Sequence, residues 1–110
     1  MNSVAETIYN QLGANKFVAM VGAKMWEVLP TGVRFRIGST KDTSINMVSI
    51  QLNHKDLYDI QFLHYIPEKF NMNTLVYRPE KLDLIEDVTD IYAEQLQSIF
   101  TKHTGLLTHL

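Results

Sequence analysis

Apolar residues near the start of the chain recur with the period of an α-helix. Ser3 and Glu6 have the spacing of a capping box, in which two side chains bond free backbone N–H groups at a helix start. Gly13 follows at a position where the left-handed conformation of a helix end favours glycine. The segment predicts a first amphipathic helix whose buried stripe contains Val4, Ile8 and Leu12.

The next segment, residues 14–22, allows two interpretations. One is a short helix that is capped by Asn15 and ends at Gly22. Its buried side would hold Phe17, Met20 and Val21. The other is a buried strand over FVAMV, because a short apolar run is compatible with either a helix or a strand. We favour the helix.

The glycines and lysines of this region also raise the question of a phosphate-binding loop. Such a loop needs G-x-x-x-x-G-K-[ST], so that backbone N–H groups converge while a lysine reaches the phosphates. Here Gly13 and Gly22 are nine positions apart, and Ala23 separates Gly22 from Lys24. We therefore interpret both glycines as helix terminators.

From residue 25 to residue 66 the hydrophobic period changes to two, which is typical of strands. The polar or turn-forming stretches PTG, GSTKDTS and NHKD separate four runs: MWEVL, VRFRI, INMVSIQL and LYDIQFLHYI. This order predicts an antiparallel meander of four strands.

Within these runs the alternation assigns side chains to faces. The predicted inward set is Val33, Phe35, Ile37, Val48, Ile50, Leu52, Tyr58, Ile60 and Phe62. Ile45 and Met47 are in the opposite phase to the rest of their run, so a β-bulge near Met47 is expected.

Residues 67–81, PEKFNMNTLVYRPEK, are bracketed by two prolines and are too apolar for a free linker. We expect an ordered loop, with a short edge strand at TLVYR as a further possibility.

The segment from Asp83 to His103 has the strongest helical pattern. Acidic residues in its first turns and Lys102 in its last would complement the helix dipole. Gly105 would end this helix, and Leu106 would make the accompanying apolar contact. We expect the tail LLTHL to dock on the protein. The buried stripe would comprise Ile85, Val88, Tyr92, Leu96 and Ile99, widened by Leu84 and Ile91.

Together these elements predict a single α+β domain over residues 1–110. An antiparallel sheet of about four strands would carry two N-terminal helices and one long C-terminal helix, all packed on one face. The expected centre of the core is Tyr9, Phe17, Phe35, Ile50, Phe62, Tyr92 and Ile99.

Composition narrows the classes of function. Hydrophobic residues make up 45% of the 110 positions, which suits one soluble domain. Cysteine is absent, which excludes disulfides, thiolate zinc sites and thiol nucleophiles and fits a reducing cytoplasm. The net charge of −2 lacks the basic footprint of non-specific nucleic-acid binding. The opening MNSVAETIYN does not resemble a secretory signal, no run is long enough to cross a bilayer, and no membrane association is expected.

The residues that could carry chemistry are scattered. The four histidines lack H-x-x-x-H spacing. The segment HKDLYD offers His54, Asp56 and Asp59, but only His54 and Asp56 could point the same way, and a metal site with two ligands is poor without a third donor. No nucleophile-elbow motif is present. We expect no catalytic residue, no cofactor and no metal. The alternative is a small enzyme with an unrecognised site, which would need a deep pocket with His64 or Asp59 in its wall.

The polar face of the predicted sheet is the candidate binding surface. Its expected members are Arg34, Arg36, Gln51, Asp59 and Gln61, joined by Lys41 from the following loop and by Trp26. Arg, Trp and Tyr are enriched in the hot spots of protein interfaces, so a protein partner fits this face. A nucleic-acid-binding module is the alternative, in which the arginines hold phosphate and Trp26 or Tyr65 stacks a base. In the purely structural interpretation, the arginines pair with Asp59 and Glu27 across strands.

Three segments, ETIYNQLGANKFVAMVGAK, LNHKDLYDIQF and IYAEQLQSIFTKHTGLLTHL, resemble small, mostly uncharacterised proteins of tailed phages, prophages and related bacterial mobile elements. The resemblance covers most of the chain and carries no catalytic motif. It implies a host-cell cytoplasm for a phage-encoded protein. We expect a non-catalytic accessory protein that acts through contacts with a host protein or with itself as a homo-oligomer. Regulation or inhibition of a host defence factor is the role that this context suggests.

Overall fold

The computed structural model describes residues 3–38 and 44–106. Its three α-helices are α1 (Ser3–Leu12), α2 (Ala14–Val21) and α3 (Leu96–Thr104), and a 3-10 turn, Ala93–Gln95, precedes α3. Its strands are β1 (Lys24–Leu29), β2 (Gly32–Arg36), β3 (Met47–Leu52), β4 (Tyr58–Ile66), β5 (Lys69–Asn71), β6 (Val76–Arg78) and β7 (Lys81–Ile91). No helix in these ranges is long and apolar enough to cross a membrane.

Five strands form one antiparallel sheet in the order β1-β2-β3-β4-β7, and β5 pairs with β6 in a separate two-stranded ribbon. The predicted α+β class, with an antiparallel sheet and a C-terminal helix, is confirmed. The meander contains the four predicted strands, and β7 adds a fifth.

Alternation along the central strands places one face of the sheet in the core. Val33 and Phe35 of β2, Val48 and Ile50 of β3, and Ile60 and Phe62 of β4 are all fully buried. The helices supply the other half of the core, with Ile8, Leu12, Phe17, Leu96 and Phe100 also at 0% exposure. Helices and sheet thus make two layers around one core.

Glycine ends the helices as predicted. Gly13, Gly22 and Gly105 all have positive φ, and the N–H groups of Gly22 and Gly105 bond back to Val18 and Thr101. Residues 14–21 form the favoured helix and not a strand. Its cap is Gly13, however, and the Asn15 side chain instead accepts a bond from the Tyr9 hydroxyl at 2.7 Å.

The long C-terminal helix predicted from Asp83 is wrong in its first half. Residues 81–91 form β7, and the helix begins only at Leu96. Two register shifts in the pairing of β4 with β7 give β7 an extra residue each time. Each extra residue changes which face the following side chains occupy, so the strand does not show a plain period of two.

The predicted core is corrected at its edges. Phe17, Phe35, Ile50 and Phe62 are fully buried, and Ile99 packs against the core while partly exposed. Tyr9 is only half-buried. Tyr92 is 56% exposed, because it follows the end of β7 and not a helical turn.

Other local expectations have mixed outcomes. No bulge occurs at Met47, because β3 pairs in unbroken register with both neighbours. The expected loop at residues 67–81 contains the β5–β6 ribbon, and its second strand covers part of the predicted TLVYR edge strand. Leu106 packs partly against the core as predicted, whereas the rest of the tail, residues 107–110, lies outside the described residues.

Candidate functional site

The sheet has a second face, opposite the helices, which we call the open face. Cross-strand pairs join Arg34 to Ser49 and Ser49 to Gln61, so these side chains form one row across β2, β3 and β4. A parallel row joins Arg36, Met47 and Leu63, and a third joins Gln51 to Asp59. Of the predicted site residues, the structure brings together Arg34, Arg36, Gln51, Asp59 and Gln61.

One predicted member does not belong to this assembly. Trp26 faces the helices and stacks on Phe35 with ring centroids 4.4 Å apart. Its neighbour Glu27 faces the open side, and adjacent residues of a strand point to opposite faces. Lys41 lies outside the described residues. Tyr65 supplies the aromatic ring in place of Trp26, with the Arg36 guanidinium carbon 5.0 Å from its centroid.

The two arginines have different environments. The Arg34 guanidinium donates through Nε at 3.0 Å and through Nη2 at 2.5 Å to Glu27 Oε2, as the structural interpretation predicts. Arg36 lies over Tyr65 and donates to the sulfur of Met25 at 3.3 Å. Asp59 pairs with neither arginine, because its carboxylate accepts from the Asn53 amide and the Asp90 backbone N–H. Arg34 is therefore neutralised in place, whereas Arg36 sits among apolar and aromatic groups.

A groove of about 310 Å³ runs along this end of the open face. Met47 and Leu63, at 8% and 6% exposure, are nearly buried although neither belongs to the core beneath the helices. The groove is lined by Met25, Glu27, Arg34, Arg36, Met47, Tyr65, Glu80, Lys81 and Leu82, together with Phe35. We call this part, with Leu63 and Leu84 in the adjoining row, the apolar end.

Both positively and negatively charged groups surround the apolar end. The Tyr65 hydroxyl donates to Glu80 Oε2 at 2.8 Å, and this hydrogen bond is the main cause that raises the pKa of Tyr65. The tyrosine ring is thereby fixed between Glu80 and Arg36. An aromatic ring, a guanidinium and apolar side chains around one groove can hold an apolar side chain of a partner and a nearby carboxylate.

Asn46 fixes the strand that carries Tyr65. Its Nδ2 donates to the Tyr65 carbonyl at 2.9 Å, and its Oδ1 accepts from the Tyr65 N–H at 2.6 Å. The side-chain amide of Asn46 thus takes the place of a backbone peptide group and continues the hydrogen-bond ladder between β3 and β4 by one step beyond Met47.

We expect Asn46→Ala to destabilise the protein by about 2 kcal/mol, because two partly buried backbone groups lose their partner. Urea unfolding followed by the fluorescence of Trp26, the single tryptophan, measures this loss. Asn10→Ala, at an exposed helical position, is the matched control and should change stability by less than about 0.5 kcal/mol. Equal stability of the two variants would show that the Asn46 contacts are not formed in solution.

The other part of the open face is polar. A shallow depression of about 230 Å³ is lined by Ser49, Gln51, Leu52, Asp59, Gln61, Asp87 and Thr89. Asp59 is held by Asn53, whose amide also donates to Asp90. The Lys55 ammonium bonds Asp90 at 3.1 Å, and this hydrogen bond is the main cause that lowers the pKa of Asp90. These contacts tie the β3–β4 turn to β7.

The two residues named for the enzyme alternative lie in different places. Asp59 lines the polar depression, and His64 bonds the Ser44 carbonyl oxygen through Nδ1. Within residues 3–38 and 44–106, no group of three or more histidine or acidic side chains is arranged to hold a metal ion.

Sequence reasoning missed the contribution of β7 to this face. Leu82 pairs with Tyr65, and Leu84 pairs with Leu63, so both extend the apolar end. They are 45% and 53% exposed. The incorrect helix placed Leu84 in a buried stripe, and nothing in the interpretation of residues 67–81 drew attention to Glu80 or Lys81. Comparison with protein-family models, with curated proteins and with solved structures gives no match to this chain.

Proposed function

We propose that this chain is a non-catalytic binding protein that holds a partner protein on its open face. The observation that carries the proposal is the apolar end, where Arg36, Tyr65 and Leu82 line one groove. Arginine and tyrosine are enriched among the residues that dominate binding energy. Met25, Leu82 and Leu84 add apolar area, each at least 45% exposed.

The charge around the groove favours protein over nucleic acid. Glu27 neutralises Arg34, and Glu80 lies against Tyr65 at the same groove. Carboxylates beside the cations would repel phosphates, whereas a protein surface with mixed charges tolerates both signs. Following the resemblance to phage and mobile-element proteins, we take a host protein as the partner class and regulation or inhibition of a host factor as its role.

The experiment is a quantitative capture of host proteins by the tagged chain, followed by affinity measurement for each stoichiometric partner. We expect Arg36→Glu to weaken binding at least about thirtyfold, the loss that corresponds to a hot spot of about 2 kcal/mol. Arg36 is half-buried and lines the groove, and among residues 3–38 and 44–106 its guanidinium has no carboxylate partner of the kind that Arg34 has in Glu27. The charge reversal in Arg36→Glu therefore changes the binding surface and not the core.

Lys16→Glu is the matched control, because it makes the same reversal of charge at an exposed position of α2 in the helical layer. It should leave the affinity unchanged. A partner that binds Arg36→Glu as tightly as the parent chain, or that is lost equally in both variants, would refute the assignment of the open face. Capture of nucleic acid with a steep salt dependence would favour the alternative module instead.

A further inference from the structure

Three cations of the described residues line the groove of the apolar end, and two of them lie beside carboxylates. Arg34 donates to Glu27, and the Lys81 ammonium is 3.7 Å from Asp83. Arg36 forms no ion pair within the described part of the chain. Its charge is therefore the one that a bound anion would compensate.

The guanidinium of Arg36 is already held in place at the groove. Its carbon lies 5.0 Å from the Tyr65 ring centroid, and Nη1 donates to the Met25 sulfur at 3.3 Å. The Tyr65 hydroxyl donates to Glu80, so this carboxylate has a partner other than Arg36. A guanidinium has five N–H donors, and a thioether sulfur is a weak acceptor. A carboxylate of a ligand can therefore bind Arg36 through two N–H groups without displacing a carboxylate of the protein.

A β-bulge brings Met25 to the same groove. Strand β1 has two residues, Met25 and Trp26, opposite the single residue Phe35 of β2. The φ of Met25 is 54°, in the left-handed region that disfavours residues other than glycine. Its side chain is 66% exposed and lines the groove. Core packing does not account for a methionine at this position, whereas contact with a ligand does.

The size of the groove limits what it can hold. Its volume of about 310 Å³ is at the lower end of the range of roughly 300–1,000 Å³ that is typical of sites for small molecules. A space of this size accommodates one large side chain together with a neighbouring polar group. The apolar walls formed by Met25, Met47 and Leu82 suit an aliphatic or aromatic side chain.

We propose that the groove recognises a segment of the partner protein in which a large apolar side chain is adjacent to a carboxylate. The apolar side chain packs among Met25, Met47 and Leu82, and the carboxylate binds Arg36. This inference rests on the proposed function, because it names the chemistry of the segment that the open face takes. Met25 and Arg36 are the residues that determine specificity.

The experiment uses three acetylated and amidated tetrapeptides as probes. The first has phenylalanine followed by glutamate at its centre, the second has glutamine in place of the glutamate, and the third has alanine in place of the phenylalanine. The methyl NMR signals of Met25 and Met47 report binding, and those of Met20 in α2 and Met72 at the β5–β6 turn are references. We expect the first peptide to shift both groove signals, and the other two to bind at least about fivefold more weakly.

Arg36→Gln tests the contact with the carboxylate. In this variant the glutamate and glutamine peptides should bind within about twofold of each other, because the group that distinguishes them is gone. Lys16→Gln is the matched control, since it removes the same charge from an exposed position of α2. It should retain the preference of the parent chain for the glutamate peptide.

Met25→Gly tests the contact with the apolar side chain. Glycine suits the positive φ at this position, so the urea concentration at the midpoint of unfolding should not fall. The affinity for the first peptide should nevertheless fall at least about threefold, because the thioether wall is lost. An unchanged affinity would overturn the role of Met25.

Four results would overturn the inference as a whole. They are the absence of shifts at Met25 and Met47 at millimolar peptide concentrations, equal binding of the glutamate and glutamine peptides, a preference for glutamate that survives Arg36→Gln, and shifts of these methyl signals by a short oligonucleotide but by none of the peptides. The last result would assign the groove to phosphate.

These results are separate from those of the capture experiment. A protein partner that binds in an Arg36-dependent manner, combined with no preference for the glutamate peptide, would overturn this inference alone. The expected peptide binding without any captured protein would leave this inference standing and contradict the proposed function.

Discussion

Gly32→Ala is expected to destabilise the protein by about 3 kcal/mol or more, although glycine at this position has no positive φ. The reason is space. A Cβ atom at Gly32 would collide with the Ile50 carbonyl oxygen and would lie 2.7 Å from Gln51 Cα. Both obstacles are backbone atoms of β3, so no side-chain rotation relieves the clash, and the β2–β3 pair would have to separate at this point.

Urea unfolding of Gly32→Ala, monitored by Trp26 fluorescence, measures this loss against a total stability of about 5–15 kcal/mol for such a domain. Gly38→Ala is the control, since an added Cβ there would be 3.8 Å from the Val21 carbonyl oxygen, its nearest neighbour among the described residues, at ordinary contact distance. It should change stability by less than about 0.5 kcal/mol. If both variants unfold at the same urea concentration, β2 and β3 do not approach as closely as described.

Phe17→Ala is expected to cost about 4 kcal/mol. Phe17 is fully buried and meets three other rings edge-on: Phe35 of β2 at 5.6 Å, Phe100 of α3 at 5.1 Å and Trp26 of β1 at 6.4 Å. It therefore joins α2 to both the sheet and the C-terminal helix. Its removal leaves a cavity at the point where the three elements meet.

Thermal and urea unfolding measure the loss, and Phe17→Leu is the matched variant. Leucine keeps most of the apolar volume, so we expect a cost below about 1.5 kcal/mol. A small and equal effect of both substitutions would mean that the two layers do not close over Phe17. Near-ultraviolet circular dichroism, which reports the packing of the Trp26 and Phe35 rings, should weaken with Phe17→Ala and persist with Phe17→Leu.

The sequence was sufficient to predict most of the two-layer fold, because hydrophobic period and glycine positions agree in the first 66 residues. It failed in β7 for an identifiable reason. Opposite Phe62 and Leu63, β7 has one extra residue, Ile85, and a second extra residue follows Val88, near Asp90 with φ 56°. Ile85, Val88 and Ile91 are three positions apart in the sequence, a spacing that is typical of a helix. The β-branched residues Ile85, Val88, Thr89 and Ile91 were the contrary signal.

For the candidate site, simple alternation correctly predicted that Arg34 and Arg36 face away from the helices. The same rule also gives the observed position of Trp26. Glu27 pairs with Arg34 and faces the open side, so its neighbour Trp26 faces the helices. The contributions of Leu82 and Leu84 could not be predicted from the sequence, because they depend on the register of β7, whose hydrophobic pattern resembles that of a helix. Residues 67–80 could be recognised as apolar from the sequence, but the exposure of β5 and β6 could not be predicted, since exposure is a property of the packed chain.

The order of the strands has a consequence for how the chain reaches this structure. Each strand of the five-stranded sheet pairs with a neighbour that is close along the chain, and β4 and β7 are joined through the β5–β6 ribbon. Such local pairing makes the entropic cost of each successive closure small and favours rapid assembly. The helical layer is different, because the Gln97 amide reaches the Gln11 and Leu12 carbonyls across 86 and 85 residues. We therefore expect folding to begin in the meander. The N-terminal and C-terminal helices are expected to pack together over the sheet in a last, slow step.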